Sequence, residues 1–453
     1  MVKIEMLDVI FCRATRDSIA ELSPRLRYKQ KMWRKGPFAM DSEEVDRYAI
    51  DRRSGLFLSG LLPILKKYFL KKKIEFKISG EKTAIEKLPA KEPYLYGIKL
   101  REDQLYVCSS VKKHQRGIVL FPTGSGKTVI AAAILSMYPE KKFLFLTESI
   151  DLISQTKKSF EEKGITGIQL IGGGHKYNGK WTGRIVISTI QSFRKIKWSD
   201  YCTHFDGVIV DEVHNASKPG GIYYDVITKM LAPIRLGLTA TMPEDKGRKF
   251  TIIGMLGPVI AKLGITQAIE KGILVKPKIK MLAPPVISCD YRNFKDIYKF
   301  CVVKNFPRNK AIVKQAQSFA AAGKTTLIMI KEIEHGREIV RVGEKLGIKI
   351  PFVSGATGKD SRLEVKELLS KKKIKIVITS EIWNEGIDIP SLDSIINAAG
   401  GKSQVAVLQK PGRGMRTSEG KTEVVIFEII DPYPYVAVHF VKRLSIYVQK
   451  GYL

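Results

Sequence analysis

Three clusters in this sequence carry residue types suited to moving a phosphoryl group. In VLFPTGSGKTVIAAAIL, residues 119–135, an apolar run breaks into a glycine turn and restarts as a helical pattern. Gly124 and Gly126 let backbone N–H groups turn inward on phosphate oxygens at a helix N-terminus. Lys127 can reach the β- and γ-phosphates, Thr128 carries a hydroxyl able to hold Mg²⁺, and Thr123 and Ser125 complete the cradle. The general phosphate-loop pattern has glycine six residues before the lysine, whereas this chain has Phe121 there. In the second cluster the apolar run GVIV ends in DEVH, residues 211–214. A strand that ends in two carboxylates puts Asp211 where it can bind Mg²⁺ and Glu212 where it can polarise an attacking water. The third cluster, QKPGRGMRT, supplies Gln409, Arg413 and Arg416. Its guanidiniums can neutralise charge on a transferring γ-phosphoryl group, a role worth several orders of magnitude in rate.

These groups need rigid elements to hold them. RGIVLF, KFLFLT, GIQLI, RIVIST, FDGVIVDE and RLGLTAT read as strands, with KTVIAAAILSMY and SIDLISQTKKSFEEKG as helices between them. Near-continuous apolar strands alternating with helices predict a parallel sheet covered on both faces. IGGGHKYNGKW, with its Asn-Gly pair, reads as a hairpin insert. VKPKIKMLAPP reads as a proline-rich linker, after which the alternation restarts in TTLIMI, IKIPFVSG, KIKIVITS, LDSIINAA and EVVIFEII and closes on a terminal helix. The expected fold is therefore α/β, with two tandem parallel-sheet lobes at residues 96–276 and 277–453. Residues 1–95 form a small, basic α+β domain with a strand in VKIEMLDVIF, an amphipathic helix in GLLPILKKYFLKKK and a strand in IEFKI.

Composition narrows the partner. The chain of 453 residues holds 77 Lys and Arg against 45 Asp and Glu, a net charge of +32 that points to nucleic acid. Its five scattered cysteines lack CxxC spacing, which argues for reduced thiols in a cytoplasmic protein and against a zinc site. No apolar run is long enough to predict a membrane span. The basic stretch PRLRYKQKMWRKGPF, with Arg27, Lys31 and Trp33, either grips duplex phosphates or is a solvated face around two packed aromatics, Tyr28 and Trp33.

With these motifs in order, the chain resembles a superfamily 2 helicase of the DExH type over roughly residues 95–453. LREDQ resembles the adenine-recognition element, which implies nucleotide contacts from Arg101 and Gln104. PTGSGKT resembles motif I, DEVH motif II and TAT motif III, where His214, Thr239 and Thr241 would couple hydrolysis to strand binding. LTESIDLISQ resembles motif Ia and implies a strand contact at Ser149, but has Glu148 and Ile150 where proline and arginine are usual. ISTIQS resembles motif Ib, with Thr189 and Gln191 as strand contacts. VSGATGKDSR and ITSEIWNEGIDIP resemble the second-lobe strand contacts and motif V. They imply Ser354, Gly355 and either Thr379 or Ser380 on the strand, and Gly386 and Asp388 on the nucleotide. QKPGRGMR resembles motif VI, with Lys410 where arginine often stands.

The plan of a small basic domain before two motor lobes resembles the UvsW-type branch-migration helicases of bacteriophages. That resemblance implies an ATP- and Mg²⁺-dependent DNA helicase or translocase on branched DNA, acting as a monomer alongside recombination or replication proteins in the host cytoplasm. An RNA helicase, a duplex translocase of a restriction complex and a non-motor P-loop kinase are the competing expectations.

Overall fold

The computed structural model describes residues 1–35, 40–80, 87–380, 392–400, 423–449 and 451–453, and for 33–35, 40–42 and 359 the backbone alone. Contacts divide the chain into two units, one of residues 1–121 with 126–263 and one of 264–453 with 122–125. Among the described residues no helix is long and apolar enough to cross a membrane.

The stretch predicted as a single N-terminal strand folds as two. Asp8 Oδ1 accepts the amides of Ile10 at 2.6 Å and Phe11 at 2.7 Å, an Asx-type turn that reverses the chain. It separates β1 (Val2–Met6) from its antiparallel partner β2 (Phe11–Ala14). Then follow α1 (Arg16–Leu22), the hairpin strands β3 (Arg27–Lys35) and β4 (Met40–Tyr48), β5 (Leu56–Leu58), α2 (Leu62–Lys72) and β6 (Phe76–Ser79). The small mixed sheet runs β5-β2-β1-β6, and its alternating residues Val2, Ile4 and Met6 share a core with Leu62, Leu65 and Phe69 of α2.

The first parallel sheet is built from β7 (Arg116–Leu120), β8 (Phe143–Thr147), β9 (Ile168–Ile171), β10 (Ile185–Thr189), β11 (Gly207–Val210), β12 (Ile234–Thr239) and β13 (Val259–Lys262). Its order is β13-β7-β12-β11-β8-β10-β9 with every pair parallel. The helices that position the site are α3 (Glu102–His114), α4 (Lys127–Met137), α5 (Ile150–Glu161) and α6 (Lys246–Leu256). The N-terminal sheet is fused to this layer rather than tethered. Val9, Ile10 and Leu58 belong to the same core as Ile118, Val210 and Ile252. Gly60 lies so close to α6 that a Cβ there would stand 2.1 Å from the Ile253 carbonyl. Buried Arg116 donates from Nη1 to Val9 O at 3.1 Å and Ser59 Oγ at 3.0 Å.

The second unit holds β14 (Pro277–Leu282), β15 (Thr326–Met329), β16 (Phe352–Val353), β17 (Ile376–Thr379), β18 (Ser394–Asn397) and β19 (Val424–Ile429). They run β14-β19-β18-β15-β17-β16, again all parallel. The stretch read as a linker thus contains an edge strand, β14. Pro277 occupies its first position and, among the described residues, the strand pairs on one side only, conditions under which a sheet accepts proline. The terminal helix α7 (Val436–Gln449) buries Val436, His439, Arg443 and Tyr447.

Candidate nucleotide site and nucleic-acid face

The glycine loop follows β7 and leads into α4. Gly124 and Gly126 take φ of 87° and 92°, the left-handed region that favours glycine. A Cβ on Gly126 would lie 2.9 Å from Gln104 Nε2 and 3.7 Å from Arg101 Nη1, so the loop stands close against these two side chains. That approach joins two motifs that are separate in the sequence. Gln104, 2% exposed, is oriented by accepting the Arg101 amide at 3.1 Å where α3 begins. The Arg101 guanidinium is held by both Asp103 oxygens at 2.9 Å. Ser125 Oγ donates to Pro122 O at 2.7 Å, which tightens the loop on itself.

Across the first unit, Lys127 Nζ lies 3.1 Å from Glu212 Oε1, and both side chains are largely buried. Glu212 stands just past β11 at φ 44°, a left-handed conformation unusual for a side chain with a Cβ and a form of strain found at functional sites. Its amide donates to Asp211 Oδ1 at 3.0 Å. Burial pushes the Glu212 carboxyl toward its neutral form, but the Lys127 ammonium, with His214 beside it, outweighs burial and holds the pKa down at about 2. His214 Nδ1 is 3.4 Å from Glu212 Oε2 and 3.0 Å from Thr239 Oγ1. The Thr239 hydroxyl spends its one hydrogen on Thr241 O at 2.9 Å, so the proton between His214 and Thr239 must sit on Nδ1. Lys127, Glu212, His214, Thr239 and Thr241 therefore form one contact path.

The residues fit the group expected of them. Glu212 Oε2 is a buried acceptor with no hydrogen bond among the described residues, 3.4 Å from His214 Nδ1 and on the carboxyl that faces the Lys127 ammonium. An ionised carboxylate with a spare lone pair can orient a water. Thr128 on the first turn of α4 and Asp211 at the end of β11 offer the oxygen ligands a Mg²⁺ ion takes.

The predicted strand contacts of the first unit gather at the C-terminal ends of β8 and β10. Ser149 caps α5 without using its side chain, and Gln191 is exposed. Thr189 is buried, and its hydroxyl is engaged with Ser192 at 3.1 Å. Beside them lies a feature the sequence reading placed wrongly. IGGGHKYNGKW does not form a hairpin about its Asn-Gly pair. The chain turns at the glycines, with Gly172 and His175 exchanging backbone bonds at 2.8 and 3.2 Å, while Trp181 folds back on Phe193, His204 and Phe205. The indole's gain from burial outweighs a regular turn at Asn178-Gly179. A Cβ on Gly172 would meet Ser192 Oγ at 2.7 Å, so this turn abuts the Thr189 segment.

Two residues not singled out as partners also emerge. The Glu148 carboxylate, which departs from the usual proline, accepts a hydrogen bond from Asn215 Nδ2, one residue beyond His214. The departure at Glu148 was the signal in the sequence; its partner was not.

In the second unit, Ser354 and Gly355 follow β16 while Thr379 and Ser380 end and follow β17, and Val353 pairs with Thr379. The Thr379 hydroxyl is buried on Ser380 O at 2.9 Å, whereas the Ser380 hydroxyl makes no hydrogen bond among the described residues. Gly386, Asp388, Gln409, Arg413 and Arg416 lie outside the described residues. On the hairpin, Arg27 and Lys31 are exposed, and the Trp33 side chain is outside the described set. Tyr28 packs edge-on against Phe250 of α6 at 6.4 Å and is a packing residue.

A glycine loop that opens a helix, a strand-end carboxylate pair and a wholly parallel sheet define the class as P-loop nucleoside triphosphatases. Residues 97–244 match the family model "Type III restriction enzyme, res subunit" and residues 309–418 match "Helicase conserved C-terminal domain". The chain is 27% identical over 406 residues to "DNA 3'-5' translocase XPB2" of Sulfurisphaera tokodaii, a match covering 81% of this chain and 88% of that protein. It is 25% identical over 332 residues to "ATP-dependent DNA helicase uvsW" of Enterobacteria phage T4, over 70% of this chain and 66% of that one. The chain spans slightly less than two-thirds of the length of two viral relatives it matches, 65% and 66%. Among solved structures it is similar to S. cerevisiae Dbp5 bound to RNA and ADP BeF3, with TM-score 0.56 and 16% identity over 78% of this chain and 91% of that one, a likeness in fold. The chain belongs to the superfamily 2 helicases.

Proposed function

We propose that the chain is an ATP-driven DNA helicase or translocase that acts on branched DNA: forks, displacement loops and four-way junctions. The observation that carries the motor reading is the contact path from Lys127 through Glu212 and His214 to Thr239 and Thr241. It runs from the residue aimed at phosphates to the segment whose family role is coupling. Bound ATP with Mg²⁺ supplies the phosphoryl group whose hydrolysis drives the cycle, and Thr128 and Asp211 would hold the metal. Lys127 turns its ammonium from Glu212 to phosphate oxygens, which leaves Glu212 to orient water. His214 carries its Nδ1 proton between Glu212 and Thr239, so a change at the carboxylate is felt at Thr239. Gln409, Arg413 and Arg416 are assigned to the γ-phosphoryl charge. Ser149, Gln191, Ser354 and Ser380 are assigned to the strand backbone.

DNA is favoured as substrate by the names of two relatives, a DNA translocase and a DNA helicase, and by the charge of +32. Branched DNA suits such a motor because moving a junction breaks one base pair as it makes another. The stacking cost of about 1.4 kcal/mol per step then nearly cancels. A second reading, a duplex translocase serving a restriction-type complex, draws on the description of the model matched by residues 97–244. Strand displacement on forked, three-way and four-way substrates, with ATPase stimulation by DNA and RNA alongside, tests both. Unwinding of junctions by the chain alone supports the first reading. Translocation without displacement supports the second, and stimulation by RNA alone overturns both.

A further inference from the structure

Part of the positive charge that the sequence concentrates on the hairpin is neutralised there. The basic strand β3 pairs along its whole length with β4, whose sequence MDSEEVDRY is acidic. Arg27 is 2.7 Å from Asp46 and Lys29 is 3.1 Å from Glu44, so the hairpin neutralises part of its own charge. Tyr28 is turned into the packing against α6.

Beside the hairpin, between α1 and the β4–β5 turn, lies a cleft of about 610 Å³ lined by Arg16, Arg27, Arg52 and Arg53, with Tyr48 among its other residues and no carboxylate. The Arg16 and Arg53 guanidiniums are exposed and make no hydrogen bond or ion pair among the described residues. The nearby Asp51 carboxylate is engaged by the Arg53 amide at 2.9 Å and by Ser54 Oγ at 2.6 Å. Arg52 lies over the Tyr48 ring, 4.8 Å from its centroid, so the ring already carries a cation.

From this arrangement we propose that the arginine cleft is a second DNA site, which grips the phosphodiester backbone of duplex DNA outside the motor's own strand contacts. The guanidinium fork matches phosphate oxygens bidentately. Single-strand sites combine charge with aromatic faces on which bases stack. Here the lining has one aromatic ring, and it is taken, so the cleft suits a duplex, whose bases are already stacked. Arg116 and the core shared by Val9, Ile10 and Leu58 fix the cleft rigidly to the first parallel sheet. Duplex held there keeps a fixed register with the ATP site.

This assignment rests on the DNA-motor reading, and the test separates the two. The double variant Arg16→Gln/Arg53→Gln is compared with the native chain for binding to a short blunt duplex and to an oligothymidylate, across a salt series. Duplex affinity is expected to fall about tenfold, and the slope of log K against log salt to flatten by about 2, the loss of two phosphate contacts. Oligothymidylate-stimulated ATP turnover should be unchanged, and Arg16→Lys/Arg53→Lys should recover most of the salt slope while missing the bidentate fit. Unchanged duplex binding overturns the site. So does an equal loss for duplex and single strand, which would mean a diffuse field. A native chain whose ATP turnover ignores every DNA fails the motor reading instead, while the duplex-binding arm still judges the cleft.

Discussion

Glu212 and Glu428 are both buried carboxylates that face a cation, and they differ in what is left unsatisfied. In the second unit, Glu428 Oε1 accepts from Asn397 at 2.9 Å and Tyr447 at 2.7 Å, and Oε2 accepts from Arg443 at 2.8 Å. Close by in the chain, Asp431 has both oxygens taken by Arg308, at 2.7 and 2.8 Å. Each of these four oxygens has at least one donor, and the Glu428 cluster ties the sheet to α7. Glu212 has one oxygen on Lys127 and the other, 3.4 Å from His214 Nδ1, without a hydrogen bond among the described residues, on a backbone held left-handed and beside a glycine loop. A carboxylate with all its partners is a strut. One left a partner short, and kept ionised by a movable lysine, is equipped for chemistry.

The contrast can be broken most forcefully at the lysine. Lys127→Ala is expected to cut ATP turnover by orders of magnitude and leave DNA affinity nearly intact, as turnover and equilibrium binding measured on one preparation would report. Loss of both together would mean that the lobe had unfolded.

Next in size is the strut. Arg443→Met leaves Glu428 buried without its cation and should cost about 3–5 kcal/mol by denaturant unfolding. Turnover of the protein that remains folded should be native. A variant of native stability but poor turnover would reverse the assigned roles.

Acid comes third. Glu212 is held at about 2 in the folded protein, against about 4.3 in an unfolded chain. The unfolded state therefore binds the extra proton first. The stability this carboxylate contributes is complete above about pH 5 and fades as pH falls toward 2. In Lys127→Ala, where the depressing charge is gone, that acid edge should move to higher pH, read as unfolding midpoints across a pH series.

The smallest effect is expected at the link between them. Thr239→Val removes the acceptor for His214 Nδ1–H and should cost about 1–3 kcal/mol. It should lower DNA stimulation of turnover more than unstimulated turnover. Equal reduction of both rates would make Thr239 a packing residue.

How much of this was legible follows from the range of each interaction. The strands from RGIVLF to EVVIFEII were readable because a strand buried on both faces needs an unbroken apolar run, which is a local pattern. The glycine loop and the carboxylate pair were readable because their chemistry sits within a few consecutive residues. The turn at Asp8 was hidden, since one carboxylate capping two amides leaves no mark on hydropathy. So was β14: Pro277 argues against a strand until the edge position is known. Trp181 moved the turn out of the Asn-Gly pair by packing on Phe193, His204 and Phe205, residues supplied by later elements.

The sequence by itself determined the class of protein, the α/β alternation, the glycine loop with its lysine and the paired acids at a strand end, because these depend on residue type and short spacing. Only the tertiary structure decided which charges are free. It joined His214 to Thr239 across 25 positions, set Gln104 against Gly126, and spent Arg27 on Asp46 while leaving the Arg16 and Arg53 guanidiniums without an ion pair among the described residues. The physical reason is that an ion pair or hydrogen bond depends on separation in space, and the distance along the chain does not report it.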